Sequence, residues 1–263
     1  MLSVVTLSHP GAVRPTNEDA VLWDPQLGLL AIADGMGGHN AGEVASSLAL
    51  DVLQQSLHAN RVKTDAEWPF GFDDDLPLAV NRLRTAVRIA NRGVFHASQT
   101  TAEYAGMGTT LTAALIEGAH VWFASVGDSR LYAKGTGETP LRQLTRDDSF
   151  VGLLADSPGV TPAALASHPM RHLLTSVLGP GPDVSVVVDD IVLSNGELLL
   201  MTTDGMHGDV GDEVMDALLD GHEHATDLQT AAEHFIEAAL GAGGRDNITV
   251  ALARYQTNLG TRD

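Results

Sequence analysis

Apolar residues along the chain alternate between short uninterrupted runs and helical stripes. Residues 4–7 make a first short run, closed by Pro10 and Gly11, and residues 20–23 make a second. A turn through Pro25 and Gly28 leads into residues 29–34, an uncharged run that stops at Asp34, so the pattern predicts a two-stranded hairpin. Val44, Leu48 and Val52, with Ala45, Ala49, Leu53 and Leu57 beside them, then trace one face of a helix. Asp-Gly is also a common two-residue hairpin turn, but the stripe that follows favours a strand leading into a helix. Leu76, Val80, Leu83, Val87, Ala90 and Val94 mark a second amphipathic helix, with Arg82, Arg84, Arg88 and Arg92 on its other faces.

From Thr109 the pattern shortens to period two or to continuous apolar runs. Residues 109–116, 120–126, 130–134 and 141–144 read as consecutive antiparallel strands joined by short turns, the second turn being Gly127-Asp128-Ser129. Residues 145–182 are mixed and read as a mobile insert or flap, with a short helix at 150–154 and a helix start at Thr161-Pro162. Residues 184–193 and 197–203, joined by Ser194-Asn195-Gly196, read as another hairpin that ends in Asp204-Gly205-Met206. Helices near 212–219 and 227–240 and a final strand after Asp246 complete the chain. The expectation is one domain over residues 1–257 with a short tail at 258–263.

Composition narrows the possible partners. The chain has 263 residues, 44% of them hydrophobic, enough for one large core. Its 34 acidic residues against 15 basic ones leave a net charge of −19, a field that repels nucleic acid and anionic membranes. The same field repels a phosphorylated substrate unless cations reverse it locally. There is no cysteine, which excludes disulfides, thiolate metal sites and a cysteine nucleophile. The first residues, MLSVVTLSHPG, lack a basic leader, and no uncharged run approaches membrane-spanning length. A monomeric cytoplasmic protein is the expectation.

Four aspartates, Asp34, Asp128, Asp204 and Asp246, lie at strand ends beside glycine or asparagine. Each alone is an ordinary turn residue. Gly35, Gly37 and Gly38 after Asp34 are free to adopt positive φ and to let the backbone approach a ligand closely. If the four carboxylates converge, their repulsion calls for a divalent cation. With oxygen ligands only, Mg²⁺ or Mn²⁺ is expected rather than Zn²⁺. The HEH at 222–224 reads as an exposed loop.

The segments RPTNEDA, ADGMGGH, MGTTLTAAL, VGDSRLY, LLLMTTDGM and GGRDNITV, in this order, resemble the metal-dependent serine/threonine protein phosphatases of the PPM (type 2C) family, bacterial type. The resemblance implies an α+β fold: a central sandwich of two antiparallel β-sheets flanked by helices in four layers. It also implies a binuclear Mn²⁺ or Mg²⁺ centre that activates a water. By motif position Asp34 bridges the two metals, the Gly35 carbonyl and water-mediated Glu18 and Asp19 complete one, and Asp204 with Asp246 holds the other. Asp128 falls where bacterial members help bind a weaker third metal, and Arg14 where the family binds the substrate phosphate. Implied partners are phosphoserine and phosphothreonine proteins and a serine/threonine kinase that the enzyme opposes.

The chain departs from part of the family pattern. Met36 stands where many eukaryotic members carry a histidine proposed as general acid, which leaves His39, and after it His207, as proton donors to the leaving oxygen. Asp148 and His172 stand where bacterial relatives often have His and Asn. The competing reading is a catalytically silent relative that binds phosphoproteins; the presence of both Asp204 and Asp246 argues against it. Hydrolysis of another phosphate ester lacks any base-binding motif, and no aspartate pair of the aspartyl-phosphate type is present.

Overall fold

The structure is a computed structural model and describes residues 1–38, 41–59, 68–155, 157, 159–161, 164–165, 168–220 and 228–257. Two antiparallel sheets form its centre. The first has the order β1 (Leu2–His9), β11 (Ile248–Tyr255), β10 (Leu198–Thr202), β7 (Arg130–Lys134) and β8 (Arg142–Gln143). The second runs β2 (Asp19–Asp24), β3 (Leu29–Met36), β5 (Leu111–Glu117), β6 (His120–Val126) and β9 (Val188–Val192), with β4 (Gly108–Thr109) paired to the end of β3. Helices α1 (Ala41–Ala59) and α2 (Leu78–Thr100) cover the second sheet. Helices α5 (Asp212–Leu219) and α6 (Leu228–Gly241) cover the first, while α3 (Phe150–Leu154) and α4 (Asp204–His207) are single turns near the sheet ends. The expected four-layer α+β sandwich is what forms.

Three apolar layers account for the uninterrupted runs. In β3, Leu29, Ala31 and Ala33 face α1 and α2, whereas Leu30 and Ile32 face the other sheet. In β10 and β11, Leu198, Leu200, Val250 and Leu252 face α5 and α6, and Leu199, Met201, Ala251 and Ala253 fill the space between sheets. A strand buried on both faces has no polar side, so alternation vanishes from its sequence.

Two strand pairings differ from expectation. β5 and β6 pair, but β7 leaves for the other sheet to lie beside β10, so Gly127-Asp128-Ser129 is a crossover and not a hairpin turn. Gly127 adopts φ +106°, where a Cβ would lie 2.6 Å from the Thr110 methyl. The buried hydroxyls of Thr110 and Ser129 bond across 2.7 Å, and Thr112 Oγ1 donates to the Ser129 carbonyl at 2.7 Å, holding the crossover against β5. Likewise β9 pairs with β6 and β10 with β7 and β11, so residues 193–197 pass from one sheet to the other. Pattern alone cannot distinguish these turns from hairpins, because the strands on both sides are equally apolar.

In α2, Arg82 is buried and not on a solvated face: it donates to the Leu57 carbonyl at 3.2 Å and faces Glu117 at 3.7 Å. It thereby satisfies an acceptor in the last turn of α1 that the helix leaves open. Leu76 precedes the helix and is exposed. Arg92 and Arg88 lie over the Phe70 ring at 4.3 and 5.6 Å. The insert is laced to the frame: Asp148 N–H donates to the Gly127 carbonyl at 2.8 Å, Phe150 N–H to the Leu173 carbonyl at 2.8 Å, and Leu178 N–H to the Thr109 carbonyl at 2.9 Å. The expected helix start at Thr161-Pro162 and residues 222–224 fall wholly or partly outside the described residues, as does the tail.

Substituting Gly127→Ala forces a side chain into the positive-φ region and against Thr110, at a combined cost of about 2–4 kcal/mol. Thermal unfolding is expected to shift down by roughly 5–15 °C; an unchanged midpoint refutes the crossover strain.

Candidate metal centre

One end of the sandwich collects the acidic residues because both sheets stop there. Asp34 sits near the end of β3, directly opposite Asp19 at the start of β2. Asp204 opens α4 after β10, Asp246 precedes β11, and Asp128 lies in the crossover from β6 to β7. Glu18 precedes β2, and its carboxylate accepts the Gly42 N–H at the start of α1, where the helix dipole favours negative charge.

The backbone around Asp34 is held tightly. Its N–H donates to Thr110 Oγ1 at 2.9 Å, and its carbonyl accepts from Thr109 Oγ1 and Thr110 N–H, both at 2.9 Å. Gly35 N–H donates to the Glu18 carbonyl at 3.1 Å, and Ser46 Oγ donates to the same carbonyl at 2.6 Å. Neither Gly35, Gly37 nor Gly38 takes a positive φ. Gly35 is instead required by close approach: a Cβ there would lie 2.0 Å from the Gly42 carbonyl oxygen and 2.6 Å from that of Glu18. Contact with α1, and not backbone freedom, explains this glycine.

Asn247 ties the Arg14 segment to β11. Its Oδ1 accepts the Glu18 N–H at 2.8 Å, and its Nδ2 donates to the Pro10 and Thr16 carbonyls at 3.0 and 2.8 Å. Arg14 consequently reaches Asp246 with a 2.7 Å ion pair while its side chain stays 51% exposed at the mouth of the site.

The acidic residues are part-buried at this end of the sandwich. Burial, followed by the charges of Asp19, Asp204, Asp128 and Asp246, holds the Asp34 pKa well above the carboxylate range. Burial raises Asp19 and Asp128 to about 7, Asp204 adding to both. Asp204 is raised by burial and by Asp246, partly offset by its hydrogen bond with Asp34 and by His172 from the insert. These groups therefore sense one another, as the four-aspartate pattern requires.

The residues fit a hard divalent cation. Asp19 Oδ1 and Asp204 Oδ1 are buried and lack any hydrogen-bond partner, a condition that costs each oxygen most of its lost hydration. All donors are oxygens, which suits Mn²⁺ or Mg²⁺. Among the described residues no three acidic or histidine side chains are already closed into a cage. Asp246 is turned to Arg14. Ion binding would replace this contact by rotation of side chains on a fixed backbone.

Residues 13–239 match the sequence profile described as protein phosphatase 2C. The chain belongs to the protein phosphatase 2C family. It is 36% identical over 256 residues to the serine/threonine protein phosphatase PstP of Mycobacterium tuberculosis, covering 96% of this chain but only 45% of that relative's length. The serine/threonine phosphatase stp of Listeria monocytogenes is 31% identical over 239 residues, 89% of this chain and 87% of the relative. A solved catalytic domain of PstP in complex with two manganese ions superposes with a TM-score of 0.80 at 34% identity, covering 97% of this chain and 99% of that one.

Within this family member the structure therefore gathers Arg14, Glu18, Asp19, Asp34, Gly35, Asp128, Asp204 and Asp246 at one end. His39 lies outside the described residues. The His207 imidazole is bonded to Thr202 Oγ1 at 2.9 Å, and burial with nearby Arg130 holds its pKa well below the usual value, which leaves it without a proton to give near neutrality. Sequence reasoning missed Asn247, Thr110, Thr203 and Thr249; the only signal for them is that each lies within three residues of a site aspartate or its β-sheet partner strand.

The raised carboxylates make metal-free stability depend on pH. Below the unfolded carboxylate pKa of about 4 both states are protonated; between that and about 7 the folded state binds more protons, so stability falls as pH rises. The unfolding midpoint in chelator is expected to drop by several degrees from pH 5.5 to 7.5 and to recover on adding Mn²⁺. A midpoint that climbs over that interval refutes the assignment.

Proposed function

We propose that this chain is a Mn²⁺- or Mg²⁺-dependent phosphatase acting on phosphoserine and phosphothreonine in proteins. The observation that carries the reading is the convergence of carboxylates from separate segments at one end of the sandwich with two buried oxygens left without partners. In this reading Asp34 would serve both ions, Asp204 and Asp246 would hold one of them, and the Gly35 carbonyl with Glu18 and Asp19 would hold the other. Asp128 would serve a weaker third ion. When bound, the ions supply Lewis acidity, lowering the pKa of a water and neutralising charge at phosphorus.

The chain's own groups do the rest. Arg14 leaves Asp246 and presents its planar fork to two phosphate oxygens, a geometry lysine lacks. Its position at the cleft mouth and the cations together overcome the net charge of −19 that otherwise repels phosphate. The β3–α1 contact at Gly35 and the Asn247 bonds hold the backbone segments that carry Arg14 and the carboxylates in place, so reorganisation is confined to side chains. His39 is the remaining imidazole of the site loop available to protonate the departing serine or threonine oxygen.

In this reading the opposing enzyme is a serine/threonine kinase, and residues 1–257 act as a single catalytic unit with the insert at 145–182. Among the described residues no helix is long and apolar enough to cross a membrane; the reading takes the chain as a monomer working in the cytoplasm.

Hydrolysis of a phosphothreonine peptide in Mn²⁺ is expected to cease in chelator and to fall by about three orders of magnitude in Asp34→Asn. Full turnover in chelator rejects the metal reading. Arg14→Ala is expected to raise KM by roughly ten- to a hundredfold, the worth of a charge-assisted hydrogen bond, with a far smaller change in kcat; an unaltered kcat/KM rejects phosphate binding by Arg14.

A further inference from the structure

Asp19 is held in a way its neighbours are not. Its Oδ2 accepts two hydroxyl protons, from Thr249 Oγ1 at 2.6 Å and Thr203 Oγ1 at 2.8 Å, while its Oδ1 is buried with no partner. Both threonines are fully buried. The direction of each proton follows from the chain of bonds. Thr203 Oγ1 also accepts the Thr249 N–H at 3.0 Å, so its own proton is free for Asp19. Thr249 Oγ1 is 2.8 Å from Ser8 Oγ, which itself accepts from Asn17 Nδ2 at 2.8 Å. Because the single Thr249 proton goes to Asp19, Ser8 must donate to Thr249. Every hydroxyl in the relay is thus polarised towards Asp19 Oδ2.

The geometry points to Thr203 and Thr249 as positioning residues that fix the Asp19 carboxylate by one oxygen so that the other, Oδ1, is reserved for the cation or its water. This inference rests on the metal-dependent reading above. A carboxylate free to rotate about χ2 would exchange its oxygens; two donors converging on one of them hold a single orientation, and outer-shell bonds of this kind govern affinity for the ion. The location extends the effect. Asp19 belongs to the second sheet, whereas Thr203 directly precedes Asp204 and Thr249 lies on β11, three residues after Asp246, in the first sheet. The same pair of bonds therefore joins the Asp19–Asp34 half of the centre to the Asp204–Asp246 half.

The test is calorimetric titration of the metal-stripped chain with Mn²⁺, with activity measured against Mn²⁺ concentration as a second readout. Thr249→Val removes the shorter bond and keeps the side-chain shape. It is expected to raise the Mn²⁺ Kd at least about tenfold. Turnover lost at low Mn²⁺ should return at saturating Mn²⁺. Thr249→Ser restores the hydroxyl and should bind within about twofold of wild type. A merely structural role would lower the metal-free unfolding midpoint and leave the Kd unmoved, and that result overturns the inference. If Thr249→Val does not fold, Thr203→Val, which removes the other bond to Oδ2, should weaken Mn²⁺ at least about tenfold; an unchanged Kd there overturns it equally. A wild-type chain that takes up no Mn²⁺ would overturn the metal reading and this inference together, whereas equal uptake by wild type and valine variant overturns this inference alone.

Discussion

The constraint on which the rest depends is the burial of several carboxylates side by side, which costs them hydration and sets their charges against one another. Asp19, Asp34, Asp128 and Asp204 all have raised pKa values, with burial the first cause in each case. Such an arrangement opposes folding, and a chain optimised for stability alone would not retain it. The frame around it is correspondingly over-determined: a sandwich buried in three apolar layers, a glycine pressed against the first helix, and an asparagine that bonds two loop carbonyls and one amide.

That frame also explains why the acids come from the strand ends. Strand interiors are committed on both faces, to helices on one side and to the opposing sheet on the other, and are mostly apolar, with Arg254 of β11 and Lys134 of β7 as buried charged exceptions. Only where β2, β3, β10 and β11 stop can polar side chains from both sheets face one cleft. Paired backbones set their positions: Asp19 opposite Asp34 across one ladder, and the segments bearing Asp204 and Asp246 joined by the Thr203–Thr249 bond beside another. The stiffness of the site is thus the stiffness of the sheets. Cation binding has only to reorient side chains such as Asp246, now paired with Arg14.

Much of the architecture was legible from residue spacing. The bounds expected for the strands at 120–126 and 130–134 and the helices at 150–154 and 212–219 agree with those observed, because local periodicity and turn residues mark them. The sheet to which each strand belongs was not legible. A crossover such as Gly127-Asp128-Ser129 and a hairpin turn have the same composition, and the choice rests on buried hydroxyl bonds between Thr110 and Ser129, residues nineteen positions apart. Arg82 shows the same limit, since nothing beside it in the chain indicates that the end of α1 needs its guanidinium.

The site divides along similar lines. By itself the sequence determined which chemistry was available: oxygen ligands without thiols, acids in glycine turns at strand ends, an arginine in the segment before β2, and a set of motifs shared with one family. Residue type and short spacing carry that information. Only the tertiary structure decided that Gly35 serves contact and not turn geometry, that the His207 imidazole is committed to Thr202, and that Asp19 has one oxygen bound and one reserved. Each of those outcomes depends on which atoms meet in space, from five residues apart for His207 and Thr202 to 230 for Asp19 and Thr249, and residue type alone does not set those distances.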